Sequence, residues 1–424
     1  MRISRIYPYI ICFLFTITTA PLLAQEPIST AEVETKSLQL YTQKNWEALI
    51  PFVKQALAEG NDYFYLRMRI GIAYYENKNF TRSEEQFKKA LGFNSSDQLA
   101  QEYLYYSYIF NGKPEEARLM SKAFSPELKT KTGTDNASAV SFFFAEGGTK
   151  IADSSRYYNT TTKTRSNYYN NALYFQAGLG HYVGKQASLM HAITYFKQDA
   201  QQINVTQFQY YLKGAFPLKK NWIFSPSLHW VNLSNTINLT NAAPQVPPGA
   251  PMPPARTQTV KSVNNYFVGS FLLQKRMNNL TLGLGATFSN MGDTTQIIHS
   301  GFISVAPLGN TRFILGATVY MHTLNSYSTI NYSYVPFLYF EPFSKLSVKL
   351  SYLANQKDNI VEENGYLINN SIDFTKSRFS VLLNGTVSRH LTVYGLYQSE
   401  QKQEPVQKLN YKYNVFVAGL KFAL

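Results

Sequence analysis

Six histidines, His181, His191, His229, His299, His322 and His390, are the residues of this chain best suited by type to proton transfer or metal ligation near neutral pH. Their spacing speaks against both roles. No two stand four apart beside an acid, as a helical metal site would need, and no Asp/Asn/Gly stretch has the ligand spacing of a calcium loop. The single cysteine, Cys12, lies in the apolar opening segment, so the rest of the chain has no disulfide, thiolate metal site or thiol nucleophile. No metal, cofactor or catalytic constellation is expected. What the chain does has to be sought in its elements.

The opening "MRISRIYPYIICFLFTITTAPLLAQ" carries Arg2 and Arg5, then an apolar run, then small residues. This is the grammar of a secretory signal peptide over residues 1–24, cut after Ala24 or after Ala20. The run is well short of the roughly 20 residues that span a bilayer as a helix. The formal net charge of +14 is scattered singly, with no compact Lys/Arg tract, so nucleic acid is not an expected partner. The 32 Tyr and 29 Phe suit surfaces that are apolar at one end and wet at the other, membrane interfaces included. No later stretch could span as a helix, so membrane insertion would require a closed barrel.

Residues 28–130 read as helical and poor in Gly and Pro. A spacing of 34 residues aligns Trp46, Phe80 and Pro114, and also Leu49, Ser83 and Ala117. The clearest unit, "LRMRIGIAYYENKNFTRSEEQFKKALGFNSS", sets Ile70, Gly71 and Tyr74 on one helix and Phe80, Phe87 and Ala90 on the next. The following unit keeps Tyr108, Gly112 and Ala117 but has Tyr105 in place of the small residue. This pattern resembles the tetratricopeptide repeat, in which a small residue lets two helices approach closely. About three helix pairs are expected, the outer two degenerate, stacked to bury faces that no pair could bury alone. Such a short array offers a docking surface for a protein partner.

From residue 135 to 424 the period is two. Leu280, Leu282, Leu284, Ala286 and Phe288 alternate with Thr and Gly. Phe208, Tyr210, Leu212 and Phe216 oppose Gln207, Gln209, Tyr211 and Lys213, and Leu346, Val348, Leu350 and Tyr352 oppose Lys349 and serines. Tight turns such as "PLKKN", "PLGN" and "SRH" alternate with connections of which several are long, an asymmetry that fits a membrane barrel and that a sandwich does not require. The fold class predicted is therefore multi-domain α + β: helical hairpins followed by an antiparallel transmembrane β-barrel of about 14 strands. An even count places both barrel ends on the short-turn rim, beside the helices. Gln207, Gln209, Lys213, His229, His322 and Lys349 are candidates to face the lumen, with Lys421. The acids Asp293, Asp358, Glu362, Glu363 and Asp373 read as outer-loop charge, solvated or holding divalent ions against lipopolysaccharide. The Pro-rich stretch around residues 242–256 reads as a stiff spacer or a lid.

The last strand, with Phe416, Leu420, Phe422 and Leu424 on one face, resembles the C-terminal signal that outer-membrane barrels present to the barrel-assembly machinery, although its last residue is Leu rather than an aromatic. As an architecture, repeats before a barrel resemble the exopolysaccharide export porins and the surface-lipoprotein assembly modulators of Gram-negative bacteria. The Tyr/Asn/Lys-rich style is similar to that of Bacteroidota. The resemblance implies an outer-membrane location, contact with outer-membrane lipid, helices in the periplasm recruiting a protein, and a non-enzymatic role in passing or assembling a polymer, lipoprotein or solute. No segment resembles the motifs of barrel enzymes. The alternative is a plugged barrel that anchors the helices as a scaffold, which lumen groups pairing among themselves would favour.

Overall fold

The computed structural model describes residues 28–424 apart from 136–138, 153–157, 160–163, 166–168, 184–186, 201–202, 241–256, 325–328, 357–360, 369–373, 404–407 and 409. The opening segment, the Pro-rich stretch, Asp358 and Asp373 lie outside the described residues.

Seven helices come first: α1 Thr30–Thr42, α2 Trp46–Ala58, α3 Phe64–Glu76, α4 Phe80–Phe93, α5 Gln98–Phe110, α6 Pro114–Ser121 and α7 Pro126–Thr132. The three residues aligned by the 34-residue spacing, Trp46, Phe80 and Pro114, are the first residues of α2, α4 and α6. The turns before them repeat as well. Lys44, Lys78 and Gly112 take φ of 53°, 57° and 65°, the left-handed conformation that reverses the chain between paired helices. The side chains of Asn45 and Asn79 then cap α2 and α4, accepting from the amides of Ala48 and Arg82.

Close approach of α3 and α4 depends on Gly71. A Cβ there would lie 2.9 Å from the ring of Phe87, and the Ser83 hydroxyl donates to the Gly71 carbonyl at 3.1 Å. Ile70 and Tyr74 pack with Leu49 and Val53 in one core, and Phe87 and Ala90 with Met68 and Leu104 in the next, where Tyr108 is half-buried. Phe80 meets the rings of Tyr75 and Phe110, and Ala117 is fully buried.

A closed antiparallel barrel of 14 strands follows. We number its strands β1 Val140–Ala152, β2 Tyr169–Val183, β3 Ala187–Ala200, β4 Ile203–Leu218, β5 Trp222–Thr240, β6 Thr257–Met277 and β7 Leu280–Ser289. The remainder are β8 Gln296–Val305, β9 Phe313–Leu324, β10 Thr329–Phe343, β11 Leu346–Gln356, β12 Phe374–Thr386, β13 Leu391–Gln403 and β14 Asn410–Ala423. Each pairs with its neighbours in sequence, and β14 closes onto β1 with Phe143 opposite Phe422 and Lys150 opposite Val415. Closure leaves no strand edge in the barrel unpaired. Residues 153–168, 241–256 and 357–373 separate strands at one rim, where β3 and β4 end and begin only two residues apart. At the other rim the connections are short, such as 278–279 and 344–345.

Burial along the strands is inverted relative to a water-soluble sheet. Leu284 is 72% exposed and Leu228 and Phe267 are each 62% exposed, whereas His322 and Ser333 are 0% exposed. Phe216, Trp222, Phe343 and Phe422 stand exposed near the short-turn rim, and Tyr332 and Tyr334 nearer the other. Phe416, Leu420 and Leu424 continue the exposed apolar face on β14 and at its end.

The helices dock on the short-turn rim. Thr81 donates its amide to the Gly309 carbonyl at 2.9 Å, the Asn310 amide group donates to the Lys78 carbonyl at 2.8 Å, and Arg276 lies 3.4 Å from Glu116. The turn between β8 and β9 is thus seated against the start of α4.

A candidate functional site in the barrel lumen

The inward side chains build two different walls. One runs along β4–β9, where Val231, Leu233, Tyr266, Val268, Ile298 and Tyr320 form a buried apolar cluster. The other, on β1, β12 and β13, is charged: Lys150 donates to Glu400 at 2.8 Å, and Arg378 and Lys402 lie 3.9 and 4.0 Å from Glu400. Glu146 on β1 accepts from the Tyr394 hydroxyl at 2.6 Å. In the ring order of strands these two walls stand across the lumen from each other.

A short hairpin in the connection between β11 and β12 fills the space between them. Val361 and Glu362 pair with Ile368 and Leu367, with turn residues Glu363, Asn364 and Gly365 at φ of 49°, 57° and 84°. Asn-Gly suits such a turn because both residues accept positive φ. Val361 and Ile368 pack on the apolar wall. On the other side Glu362, 4% exposed, accepts from Arg378 at 2.6 Å. This corrects the outer-loop expectation for Glu362. Glu363, also assigned there, approaches Lys349 at 3.8 Å.

The turn of the hairpin is clasped by the wall. Tyr211 and Ser227 donate their hydroxyls to the Asn364 carbonyl at 3.0 and 2.5 Å, and the Asn364 amide group donates to the Ser225 carbonyl at 2.9 Å. His229 donates from Nδ1 to the Gly365 carbonyl at 2.7 Å. The Tyr366 hydroxyl donates to Gln176 Oε1. Gly365 is required as well as favoured, since a Cβ there would lie 2.8 Å from Ser270 Oγ.

Of the lumen candidates, Gln207, Gln209 and His229 form one group: the Gln209 amide donates to Gln207 Oε1 at 2.8 Å, and Gln209 Oε1 is 3.1 Å from His229 Nε2. His229 and Lys349 both touch the hairpin. His322 is fully buried on β9, and Lys213 is half-buried on β4, in neither of the groupings above. Lys421 lies over the Phe142 ring at 4.2 Å. Two other histidines, outside the lumen candidates, also have close neighbours. His181 lies within β2, Nε2 to Nε2 3.0 Å from His191, and His390 Nδ1 is 2.9 Å from the Ala423 carbonyl. Among the described residues no cluster of three or more His, Cys, Asp or Glu could hold a metal. The hairpin and its partner Arg378 were not expected from sequence, although the dipeptide Asn364-Gly365 is a turn signal.

No protein-family model matches the chain, and no curated protein matches it. Solved structures do. The toluene transporter TbuX of Ralstonia pickettii aligns at TM-score 0.45 and 8% identity, covering 67% of this chain and 90% of that one. A FadL homologue of Pseudomonas aeruginosa aligns at TM-score 0.40 and 10% identity, covering 67% and 89%. A third structure, MamA MSR-1, is 22% identical over 24% of this chain and 59% of its own, at TM-score 0.22. At these scores the likenesses carry no functional argument.

Proposed function

We propose that the protein is a non-enzymatic outer-membrane barrel, held shut at rest by the lumen hairpin, that passes or assembles a substrate when a partner acts on it. The tetratricopeptide-like helices would stand in the periplasm and recruit that partner. The exposed apolar belt flanked by aromatic side chains at both rims suits lipid on the outside, and the last strand suits delivery by the barrel-assembly machinery.

One observation carries the reading: among the described residues a short hairpin, 361–368, lies inside the lumen and is held between its two walls. Moving it out breaks the hydrogen bonds to Asn364, Gly365 and Gln176 and the Arg378–Glu362 pair. At roughly 1 kcal/mol net for a neutral bond and about 2 for a charged one, the closed state is favoured by several kcal/mol. Every 1.4 kcal/mol is about tenfold in population, so opening at rest is rare. A partner that opens the barrel must therefore bind the open state correspondingly more tightly.

The reading is tested in cells carrying either the full chain or a variant with residues 361–368 replaced by Gly and Ser at equal length. Entry of large polar antibiotics that the outer membrane excludes should rise with the variant alone. Equal exclusion by both, at equal surface level, would favour the second reading, a permanently plugged anchor for the helices. The pairing of lumen groups among themselves, Lys150 with Glu400 and Gln207 with Gln209, is the observation on its side.

A further inference from the structure

Two arginines at the short-turn rim have carboxylates beside them. Arg276 lies 3.8 and 3.4 Å from Glu115 and Glu116 of α6, and Arg312 lies 3.9 Å from Glu341. Three lysines on the same rim do not. Lys219 and Lys220 stand exposed in the turn from β4 to β5, and Lys275 stands near the end of β6, directly opposite Trp222 in register. Among the described residues none of these three lysines takes part in an ion pair. Lys275 is nevertheless held in place: its ammonium donates to the Lys220 carbonyl and lies over the Trp222 ring at 5.1 Å.

The outer wall next to these cations is apolar. Leu218 precedes the turn, Phe216 and Phe224 face each other across β4 and β5 with ring centroids 6.5 Å apart, and Leu228 and Phe271 continue the exposed face farther from the rim. Trp222 stands between the two zones, where an indole with an apolar body and one N–H suits the boundary between hydrocarbon and water. Three cations without carboxylates, above an apolar wall, complement a molecule that is anionic at its head and apolar below it. An acidic soluble protein would match the lysines alone, whereas the apolar face runs straight on from them.

We propose that this patch on the outside of the barrel binds a membrane phospholipid with an anionic head, the head on Lys219, Lys220 and Lys275 and the acyl chains along Phe216 and Phe224. The proposal rests on the membrane-barrel reading above and goes beyond it by naming which lipid is held and where. A zwitterionic lipid brings the same phosphate with a cation of its own, which the lysines repel, so the patch discriminates by net charge. One ammonium close to an anionic lipid surface is worth about fivefold in affinity.

The test uses the chain with Trp46→Phe and Trp230→Phe, which leaves Trp222 as its one tryptophan, folded in phosphatidylcholine vesicles and verified by heat-modifiable migration. Quenching of Trp222 is measured with a minor share of brominated phosphatidylglycerol or the same share of brominated phosphatidylcholine. The anionic lipid should be enriched around Trp222 about fivefold or more over the zwitterionic one. Lys219→Gln, Lys220→Gln and Lys275→Gln together should make the two lipids quench equally, and about 1 M salt, where the screening length is about 3 Å, should do much the same. Inorganic phosphate should weaken the preference no more than chloride at equal ionic strength; a specific loss would assign the patch to free phosphate and overturn the lipid assignment. Equal quenching by the two lipids in the parent, or a preference that survives the triple substitution, overturns the proposal and leaves the membrane barrel standing. No quenching by either lipid overturns both.

Discussion

Lys113→Met should destabilise the helical array by about 3 kcal/mol, near the lower end of what breaking a buried ion pair costs. Glu84 and Lys113 have side chains only 6% and 5% exposed, and their charged atoms lie 2.7 Å apart. Removing the ammonium leaves a buried carboxylate with the Asn111 amide group at 3.0 Å and the more exposed Lys88 at 2.5 Å. Those two partners are why the lower end applies. In a domain of roughly one hundred residues such a loss lowers the melting temperature by about 12 °C or more. The pH dependence has a definite sign. Burial alone would raise the Glu84 pKa, but the Lys113 and Lys88 ammoniums outweigh it and hold the carboxyl below its ordinary range. Its folded value is thus lower than its unfolded one, so its stabilisation is complete above the ordinary carboxylate range and is lost as pH falls through the depressed value. In Lys113→Met this acid loss should begin at higher pH. Melting of the full chain followed at 222 nm reads the helices, and heat-modifiable migration confirms that the barrel is intact. A variant that melts within a degree or two of the parent, with an unmoved acid limb, would refute the argument that this pair is buried and coupled. Replacing Glu84 and Lys113 together by Met should cost much less than Lys113→Met alone, since no unpaired charge remains.

Gly71→Ala should destabilise the array by about 1 kcal/mol, the overpacking against Phe87 exceeding a helix-propensity gain of similar size; adding Phe87→Leu should reverse the sign, as read by the same melt. Leu284→Arg, on the exposed face of β7, should cost about 2–4 kcal/mol in urea titration of the barrel folded in vesicles. Thr281→Arg, on the inward face of the same strand and only half-buried, should be much milder. Gly309→Ala forces a residue at φ 71° and sets a Cβ 2.2 Å from Asn79 Oδ1, so hydrogen exchange of the Thr81 amide that docks there should quicken at least tenfold, for a cost of about 1–2 kcal/mol.

Much of the fold is legible because the two faces of each strand meet different surroundings. The outer face is exposed and apolar and the inner face lines the lumen, so Leu282, Leu284 and Phe288 alternate visibly with Thr281, Thr287 and Ser289. The helix starts at Trp46, Phe80 and Pro114 are legible because each repeats the same packing problem. Helix α1 carries no such motif; it is fixed by tertiary partners, with Val33 fully buried and Glu34 paired to Arg69 at 2.5 Å. The lumen contents were the least legible part. Glu362 and Glu363 read as loop charge because their partners, Arg378 and Lys349, lie on β12 and β11 and are met only when the connection between those two strands folds back into the lumen. Two residues of strand on each side of Asn364-Gly365 are also too few to show a period.

The most direct test of the central claim is single-channel conductance of the purified full chain and the hairpin-replaced chain in planar bilayers, both verified as folded. The full chain should be silent apart from rare brief openings, and the replaced chain should show stable, long-lived conductance. Equal silence from both would contradict the account, because it would mean that the wall or the helices, and not the hairpin, close the barrel.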